Sequence, residues 1–413
     1  MIGNMIAVSK AIEIVDSETP VLGAERICLS DAVGRILAED VRADSDMPPF
    51  ERSQMDGYAV IAEDTENAPV RLKIIGESAA GSGWGGRLNS GEAVRIMTGA
   101  RLPAGADAVQ KIELTREDDG FVSILEPTAA GRFIVGQGSE ARKGQKVCSV
   151  GERISERMIA TLAAFGFGKV RVGARPRVAV LATGSEIIDI SEIPGPDQIR
   201  NSNSPMLGAL AIHFGAAAEA LPIAGDDLLS LKTRISGIVG ASEQRSASGT
   251  TAPDILILTG GVSVGKYDLT KQALFELGAE IFFEKLKLKP GKPAVFARLG
   301  KTLIFALPGN PVSAAVVFYL LVRRVILQMQ GAASTDLRKG TAVLTAAAKG
   351  TKGRDSYLPT CLATDSIGHL IAAPIPWHGS SDFVGFADAD ALVIIPEGEN
   401  RNSGEVSDLV FLD

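Results

Sequence analysis

The chain has 413 residues, 46% of them hydrophobic and 22% charged, which is typical of a folded protein with several domains. Its net charge of -7 argues against a protein that coats nucleic acid or anionic membrane. The longest apolar run, residues 314–322, is too short to span a bilayer. Three separated cysteines and three histidines offer neither a disulfide framework nor a histidine-based zinc site. We therefore expect a cytoplasmic protein without membrane or nucleic-acid partners, whose chemistry uses carboxylates, lysines and backbone groups.

Short β-type runs broken by Gly and Pro fill residues 1–175 and predict a β-rich half. One exception is the stretch 155–165, where apolar residues recur at helical spacing between a Ser cap and Gly166. This stretch predicts a short amphipathic helix. Within the same half, Asp56-Gly57 by itself signals a hairpin turn.

From about residue 176, nearly continuous apolar strands alternate with amphipathic helices. This alternation predicts a doubly wound α/β domain with a parallel sheet, whose ligands bind at the carboxyl ends of the strands. A long helix over 312–330 closes the domain, and residues 331–413 return to short strands. The fold class is therefore multidomain α/β plus β, with a small C-terminal β-domain.

The segment 285–293, KLKLKPGKP, places Lys285, Lys287 and Lys289 on one face of a predicted strand. Like charges on one face repel, so the pattern favours an anion among them, and the following turn brings Lys292 close. The alternative is a solvated edge strand protected by its lysines.

Two further patterns suit an anion. Asn310 and Pro311 read as the N-cap and first residue of a helix, whose free N–H groups attract phosphate. Gly260 and Gly261 follow the most apolar strand, so the backbone there can approach a ligand closely, although the Walker spacing is absent. The alternatives are an ordinary capped helix and a tight strand-to-helix turn.

Carboxylates follow several predicted strands, as Glu186, Asp226, Asp227 and Asp268. Converging carboxylates beside an anion pocket could hold Mg²⁺. Alternatively, Asp226 or Asp227 caps the helix that follows.

Seven motifs taken together are specific enough to indicate a family. They occur in the order PPFERSQMDGYAV, GEAVRIMTGARLPAGADAV, ATGSEI, QIRNSNSPML, ILTGGVSVGKYDLTK, KLKLKPGKPAVF and LPGNPVSA. Nearly end to end, the chain resembles the MoeA-type molybdopterin molybdenumtransferases, which include the gephyrin E domain. The resemblance implies a dimeric subunit with four domains. These are a linker and dimerisation domain (1–46 and 140–175), a β-rich domain (47–139), an α/β molybdopterin-binding domain (176–330) and a C-terminal β-barrel-like domain (331–413).

The activity implied by the resemblance is Mg²⁺-dependent insertion of molybdate into adenylylated molybdopterin, with release of AMP and molybdenum cofactor. Implied partners are a second copy of the chain, molybdopterin adenylyltransferase and apo-molybdoenzymes. The alternatives are a molybdopterin adenylyltransferase, which the α/β part also resembles, and a non-catalytic molybdopterin carrier.

The resemblance also implies roles for particular residues. Asp56 corresponds to the acidic residue that reaches the partner subunit's site, and Glu186, Asp226 and Asp268 to the carboxylates that organise Mg²⁺ and phosphate cleavage. Lys285 and Lys289 correspond to anion-binding lysines. The remaining substrate-binding candidates are Thr183, Gly184, Thr259, Gly260, Gly261, Ser263, Lys292, Pro308, Gly309, Asn310, Pro311, Ser313, Arg354 and Ser380.

The chain departs from the family pattern at three places. Gln145-Lys146 stands where an acidic pair is usual, so a cation replaces an acid and reverses the local charge. Ser185 replaces the usual Asp in the motif that keeps Glu186. Pro359-Thr360 and Asp382 occupy positions where many relatives carry arginine, which predicts a changed affinity for molybdate.

Overall fold

The computed structural model describes residues 5–225, 227–240, 252–260, 269–376 and 382–413. The candidate residues Asp226, Gly261, Ser263, Asp268 and Ser380 lie outside the described residues. The chain divides into two compact units. The first unit contains Met1–Glu39, Val150–Ser155 and Lys169–Asp413, and the second contains Asp40–Ser149 and Glu156–Gly168. The four domain boundaries expected from the sequence stay a prediction.

The first unit begins with helix α1 (Val8–Glu18) and strand β1 (Ala24–Cys28). The helix buries Val8, Ala11 and Val15, whose spacing of three and four residues places them on one face. These side chains join the larger core of the first unit.

The second unit is β-rich, as its sequence predicts. Its elements are β2 (Val41–Arg42), β3 (Arg52–Ser53), β4 (Gly57–Val60), β5 (Val70–Ser78), β6 (Glu92–Ile96), β7 (Ala108–Lys111), β8 (Thr115–Asp118), β9 (Phe121–Ile124), β10 (Ile134–Val135), β11 (Lys146–Cys148) and α2 (Glu156–Ala164). Six of the strands form one sheet in the order β7-β4-β6-β5-β9-β8. The predicted helix over 155–165 is confirmed as α2.

The predicted hairpin at Asp56-Gly57 is wrong. Strand β4 pairs with β6 and β7, whereas β3 pairs with β10, so the two strands that flank Asp56 do not pair with each other. Gly57 is required for a different reason, because a Cβ there would lie 2.0 Å from the Gln110 carbonyl oxygen of β7.

The α/β part of the first unit carries most of the helices. Its elements are β12 (Lys169–Gly173), β13 (Arg177–Ala182), β14 (Ile187–Ile188), β15 (Ile199–Arg200), α3 (Asn203–His213), β16 (Ala217–Ala220), α4 (Leu228–Gly240), β17 (Ile255–Thr259), α5 (Leu269–Glu276), β18 (Glu280–Lys285), β19 (Leu288–Lys289), β20 (Pro293–Leu299), β21 (Thr302–Leu307), α6 (Pro311–Val317) and α7 (Arg323–Met329).

The central sheet has the order β16-β13-β17-β21-β20-β18. Its first four strands are parallel, and alternate residues of β13, β17 and β21 pack into two separate cores, one on each face. The doubly wound architecture is therefore confirmed. Strands β20 and β18 extend this parallel sheet with antiparallel strands at one edge.

Helices α6 and α7 continue one another through a π-helical turn at Phe318–Val322. The combined helix, Pro311–Met329, confirms the helix predicted over 312–330 and is long and apolar enough to cross a membrane by length and composition. Of the residues in its 18-residue apolar window, 83% are buried in the protein, as expected of a core helix.

The C-terminal part contains β22 (Lys339–Leu344), β23 (Ala348–Lys349), β24 (Asp355–Thr364), β25 (Leu370–Pro374), α8 (Phe383–Phe386), β26 (Ala391–Ile395), β27 (Asn400–Arg401) and β28 (Val406–Phe411). Pairing runs from β24 through β25, β22, β28 and β26 and returns to β24. This ring closes a small barrel around its own apolar core, as predicted.

The lysine segment does not form the single strand expected from its alternation. Lys285 ends β18 of the central sheet, whereas Lys289 belongs to β19, which pairs with β24 of the barrel. The backbone bends at Lys287, between the two strands, and this stretch hydrogen-bonds to Ile6. Buried leucines, Leu286 and Leu288, alternate with the more exposed lysines, as the sequence pattern predicts. The lysines nevertheless belong to two different sheets rather than to one strand.

Candidate substrate site

A cavity of 780 Å³, called here the strand-end cavity, lies at the carboxyl ends of the parallel strands β13, β17 and β21. Strands β13, β17 and β21 are neighbours in the sheet, so the loops that follow them meet at the same edge. The cavity is lined by Ala182, Thr183, Glu186, Ile187, Ile190, Pro194, Gln198, Ile199, Arg200, Asn201, Ser202, Asn203, Thr259, Gly260, Gly309, Asn310, Pro311 and Phe383.

Glycines allow the backbones of these loops to touch. Gly260 has a φ of +95°, and a Cβ at this position would lie 2.1 Å from the Thr183 carbonyl oxygen. A Cβ on Gly309 would in turn lie 3.6 Å from the Gly260 Cα. Only glycine combines this conformation with this approach, so the cavity floor is exposed backbone rather than side chain.

Asn203, the first residue of α3, connects the three loops. Its Nδ2 donates hydrogen bonds to the Thr259 Oγ1 at 2.7 Å and to the Gly309 carbonyl oxygen at 2.8 Å. The Asn203 Oδ1 and the Thr183 Oγ1 are buried and have no hydrogen-bond partner among the described residues. Since buried polar atoms are usually paired, these two atoms are available to hydrogen-bond a ligand.

Asn201 shapes the entrance to α3. Its Oδ1 accepts a hydrogen bond from the Ser204 backbone N–H at 3.1 Å, and its Nδ2 donates to the Ser204 Oγ at 2.9 Å. Asn201, Asn203 and Phe383 are not among the site residues predicted from the sequence. The two asparagines have a local signal, since polar residues directly before an apolar helical run are typical of an N-cap. No local sequence pattern indicates Phe383, because it reaches the cavity from the C-terminal part of the chain.

The predicted helix start at Asn310 is confirmed. Asn310 occupies the N-cap position of α6, Pro311 is the first helical residue, and both line the strand-end cavity. Ser313 is buried one turn further along and does not line it. Pro308 contributes its carbonyl oxygen, which accepts a 3.3 Å hydrogen bond from the Thr259 hydroxyl.

Among the predicted carboxylates, Glu186 lines the strand-end cavity and its carboxylate has no hydrogen bond to any described residue. The Asp227 carboxylate instead accepts a 2.8 Å hydrogen bond from the Ser230 backbone N–H at the start of α4, so the capping alternative holds for Asp227. Within the described ranges, no three His, Cys, Asp or Glu side chains are grouped for a metal ion.

The predicted lysines do not line the strand-end cavity. Lys289 lines a second cavity of 460 Å³, together with Lys349 and apolar residues of the barrel that include Pro359. No carboxylate lines this second cavity among the described residues, so its charge is positive. Lys285, Lys292 and Arg354 line neither cavity.

Asp56 lies in the second unit, directly before β4. Its Oδ1 accepts hydrogen bonds from the Thr98 backbone N–H at 2.7 Å and from the Thr98 hydroxyl at 2.8 Å. These two bonds lower the pKa of Asp56, because they stabilise the ionised form. The exposed carboxylate is therefore kept charged and fixed in direction.

Lys146, where the family resemblance leads us to expect an acid, also lies in the second unit. Its ammonium group pairs with the Asp40 carboxylate at 3.5 Å across the β2–β11 ladder. The reversal of charge at this position is thus partly neutralised within the same unit.

Three family models cover most of the chain. They are the MoeA N-terminal region (domains I and II) at residues 6–166, the "Probable molybdopterin binding domain" at 179–328 and the MoeA C-terminal region (domain IV) at 341–412. The chain belongs to the MoeA family.

Individual relatives agree with this assignment to the MoeA family. The chain is 36% identical over 389 residues to the molybdopterin molybdenumtransferase of Bacillus subtilis, covering 91% of this chain and 86% of that protein. It is 32% identical to the one of Staphylococcus aureus, covering 99% and 96%. The solved MoeA protein of Pyrococcus horikoshii matches with a TM-score of 0.79 at 33% identity, covering 99% of this chain and all of the other. The multidomain fold is therefore that of MoeA proteins.

Proposed function

We propose that this MoeA-family protein is a molybdopterin molybdenumtransferase, which inserts molybdate into adenylylated molybdopterin and releases AMP. The observation that carries the proposal is the strand-end cavity, whose lining residues except Phe383 lie in the stretch that matches the molybdopterin-binding family model. Its backbone floor at Gly260 and Gly309 and its helix N-terminus at Asn310 offer hydrogen-bond donors to phosphate.

The chain's own residues bind and orient the substrate. Asn203 holds the loops together, and its free Oδ1 and the Thr183 hydroxyl are positioned to hydrogen-bond polar substrate atoms. Gly184, which has a φ of +142°, keeps the Glu186 carboxylate close to the loop backbone. Gly261 and Ser263, on sequence grounds, extend the phosphate-binding loop that begins at Thr259.

Glu186, with Asp226 and Asp268, would hold Mg²⁺. The donor set fits, because Mg²⁺ prefers carboxylate oxygens and the Glu186 carboxylate is at the cavity wall without a hydrogen-bond partner. When bound, Mg²⁺ neutralises negative charge on phosphate oxygens. Asp226 and Asp268 enter this proposal on their positions after predicted strands.

The second cavity, with Lys289 and Lys349, would bind molybdate. An oxyanion needs positive charge without competing carboxylates, and this cavity provides both features among its described residues. Lys285, Lys292, Arg354 and Ser380 are proposed as further anion contacts from the family resemblance alone.

The assembly and setting of the protein are also proposals. A cytoplasmic homodimer would let Asp56 reach the partner subunit's cavity, and its two hydrogen bonds from Thr98 would keep it ionised there. A four-domain subunit with the boundaries given above, and contacts with molybdopterin adenylyltransferase and apo-molybdoenzymes, follow from the same resemblance.

The test is AMP release from purified adenylylated molybdopterin with Mg²⁺, with and without molybdate, coupled to reconstitution of an apo-molybdoenzyme. We expect molybdate-dependent AMP release and reconstitution, and loss of both in Glu186→Gln. Pyrophosphate formation from ATP and molybdopterin would instead indicate an adenylyltransferase. Tight binding without AMP release would indicate a carrier, and Lys146→Asp would then test whether the replaced acid is the cause.

A further inference from the structure

The strand-end cavity has an apolar side that phosphate and metal binding do not explain. Ile187, Ile190, Ile199 and Phe383 line it together with the polar loops. Ile190, Ile199 and Phe383 keep 58%, 59% and 49% of their surface exposed. Large apolar side chains that stay exposed around one concave site are typical of a ligand-binding surface.

The position of Phe383 is built into the fold. It begins α8, where the Asp382 side chain accepts a 3.3 Å hydrogen bond from the Gly385 backbone N–H. A Cβ on Gly385 would lie 3.1 Å from the Ile375 Cγ2, so this turn packs closely on the chain that follows β25. Phe383 therefore comes from a braced helical turn rather than from a free loop.

Phe386, one turn later, differs from Phe383 in its surroundings. Both rings line a neighbouring apolar cavity of 340 Å³, but only Phe383 also lines the strand-end cavity. The two phenylalanines share a helical turn and this neighbouring apolar cavity, and they differ in access to the candidate substrate site.

We propose that Phe383 is a specificity-determining residue, against which a planar heteroaromatic ring of the substrate stacks in the strand-end cavity. An aromatic face binds such a ring through dispersion and quadrupole interactions, whereas the phosphate is bound elsewhere by backbone donors. The inference rests on the proposed function only for the identity of the ring, because adenylylated molybdopterin carries both a pterin and an adenine.

The experiment measures equilibrium binding of three probes to the full chain by calorimetry. The probes are AMP, a phosphate ester of 6-hydroxymethylpterin, and ribose 5-phosphate, which has the phosphate but no aromatic ring. We expect Phe383→Ala to weaken at least one of the two ring-bearing probes about 5- to 20-fold, and to change ribose 5-phosphate less than about 2-fold. Phe383→Tyr should restore the ring-dependent affinity.

Phe386→Ala is the matched control, since it removes the same ring from the same turn without changing the strand-end cavity wall. It should leave all three affinities unchanged. A loss confined to AMP assigns the adenine to Phe383, and a loss confined to the pterin probe assigns the pterin.

Three outcomes would overturn the proposal: unchanged affinities in Phe383→Ala, an equal loss for ribose 5-phosphate, or no binding of any probe to the wild-type chain. Failure of the proposed function would look different. In that case the ring-dependent effect of Phe383 would persist while adenylylated molybdopterin released no AMP.

Discussion

Gly260→Ala tests whether close backbone contact at the strand ends is required for the site. An alanine Cβ would lie 2.1 Å from the Thr183 carbonyl oxygen, whereas an ordinary carbon–oxygen contact is about 3.3 Å. The loops after β13 and β17 must therefore move apart by about 1.2 Å. This movement would strain the 2.9 Å hydrogen bond from the Thr183 N–H to the Thr259 carbonyl oxygen.

The expected effect on activity is large, because a displacement of about 1 Å in a catalytic site costs on the order of 100-fold in rate. We expect kcat/KM for AMP release to fall by about that factor. The positive φ at Gly260 adds about 1–2 kcal/mol of backbone strain for alanine.

Gly278→Ala is the matched control. Gly278 also has a positive φ, +75°, but a Cβ there meets nothing within 4 Å. Gly278→Ala should introduce backbone strain without a steric clash. We therefore expect wild-type activity and a Tm lowered by about 2–8 °C. The reasoning fails if Gly260→Ala keeps activity within about 2-fold of wild type, or if it lowers the Tm no more than Gly278→Ala does.

Three further predictions concern single side chains. Asn203→Asp should lower the Tm more than Asn203→Ala, because a carboxylate oxygen would face the carbonyl that the amide now bonds at 2.8 Å; equal Tm values in a thermal scan would contradict this. Thr98→Val should raise the pKa of Asp56 toward its ordinary value, because the hydroxyl bond is lost, and carboxyl NMR titration should show the acid transition at higher pH than in wild type. The pKa of His213 is lowered by burial and then by the charges of Arg153 and Arg323. Neutral His213 therefore contributes to the stability of the folded protein above its pKa in the unfolded chain, about 6.5, and this contribution is lost as the pH falls through its pKa in the folded protein. Arg153→Gln should raise the His213 pKa in an imidazole NMR titration, and an unchanged value would show that Arg153 does not act on it.

Much of the architecture could be predicted because it depends on local pattern. The apolar strands β13, β17 and β21 and the helix that starts at Pro311 are evident from hydrophobic runs and from Asn310-Pro311. The position of the site followed from the same reasoning, since neighbouring parallel strands end at one sheet edge. The reaction was inferred from the family resemblance, because hydrophobic periodicity gives no information about chemistry.

The errors came from features that local pattern does not encode. The alternation of Lys285 and Lys289 correctly predicts strand structure at both lysines, but it cannot show that the chain bends at Lys287 and passes from the central sheet to the barrel. Asp56-Gly57 has the composition of a hairpin turn, yet its glycine serves a close contact with Gln110, 53 positions away.

The sequence by itself determined the class of fold, the spacing of apolar residues in helices and strands, the sheet edge at which the candidate site lies and the family. Only the tertiary structure decided which side chains share a site. Asn203 bonds Gly309, which is 106 residues distant, and Phe383 joins the same cavity from α8, between the barrel strands β25 and β26. Such contacts depend on how whole sheets and helices pack against one another, and local sequence pattern does not predict that packing.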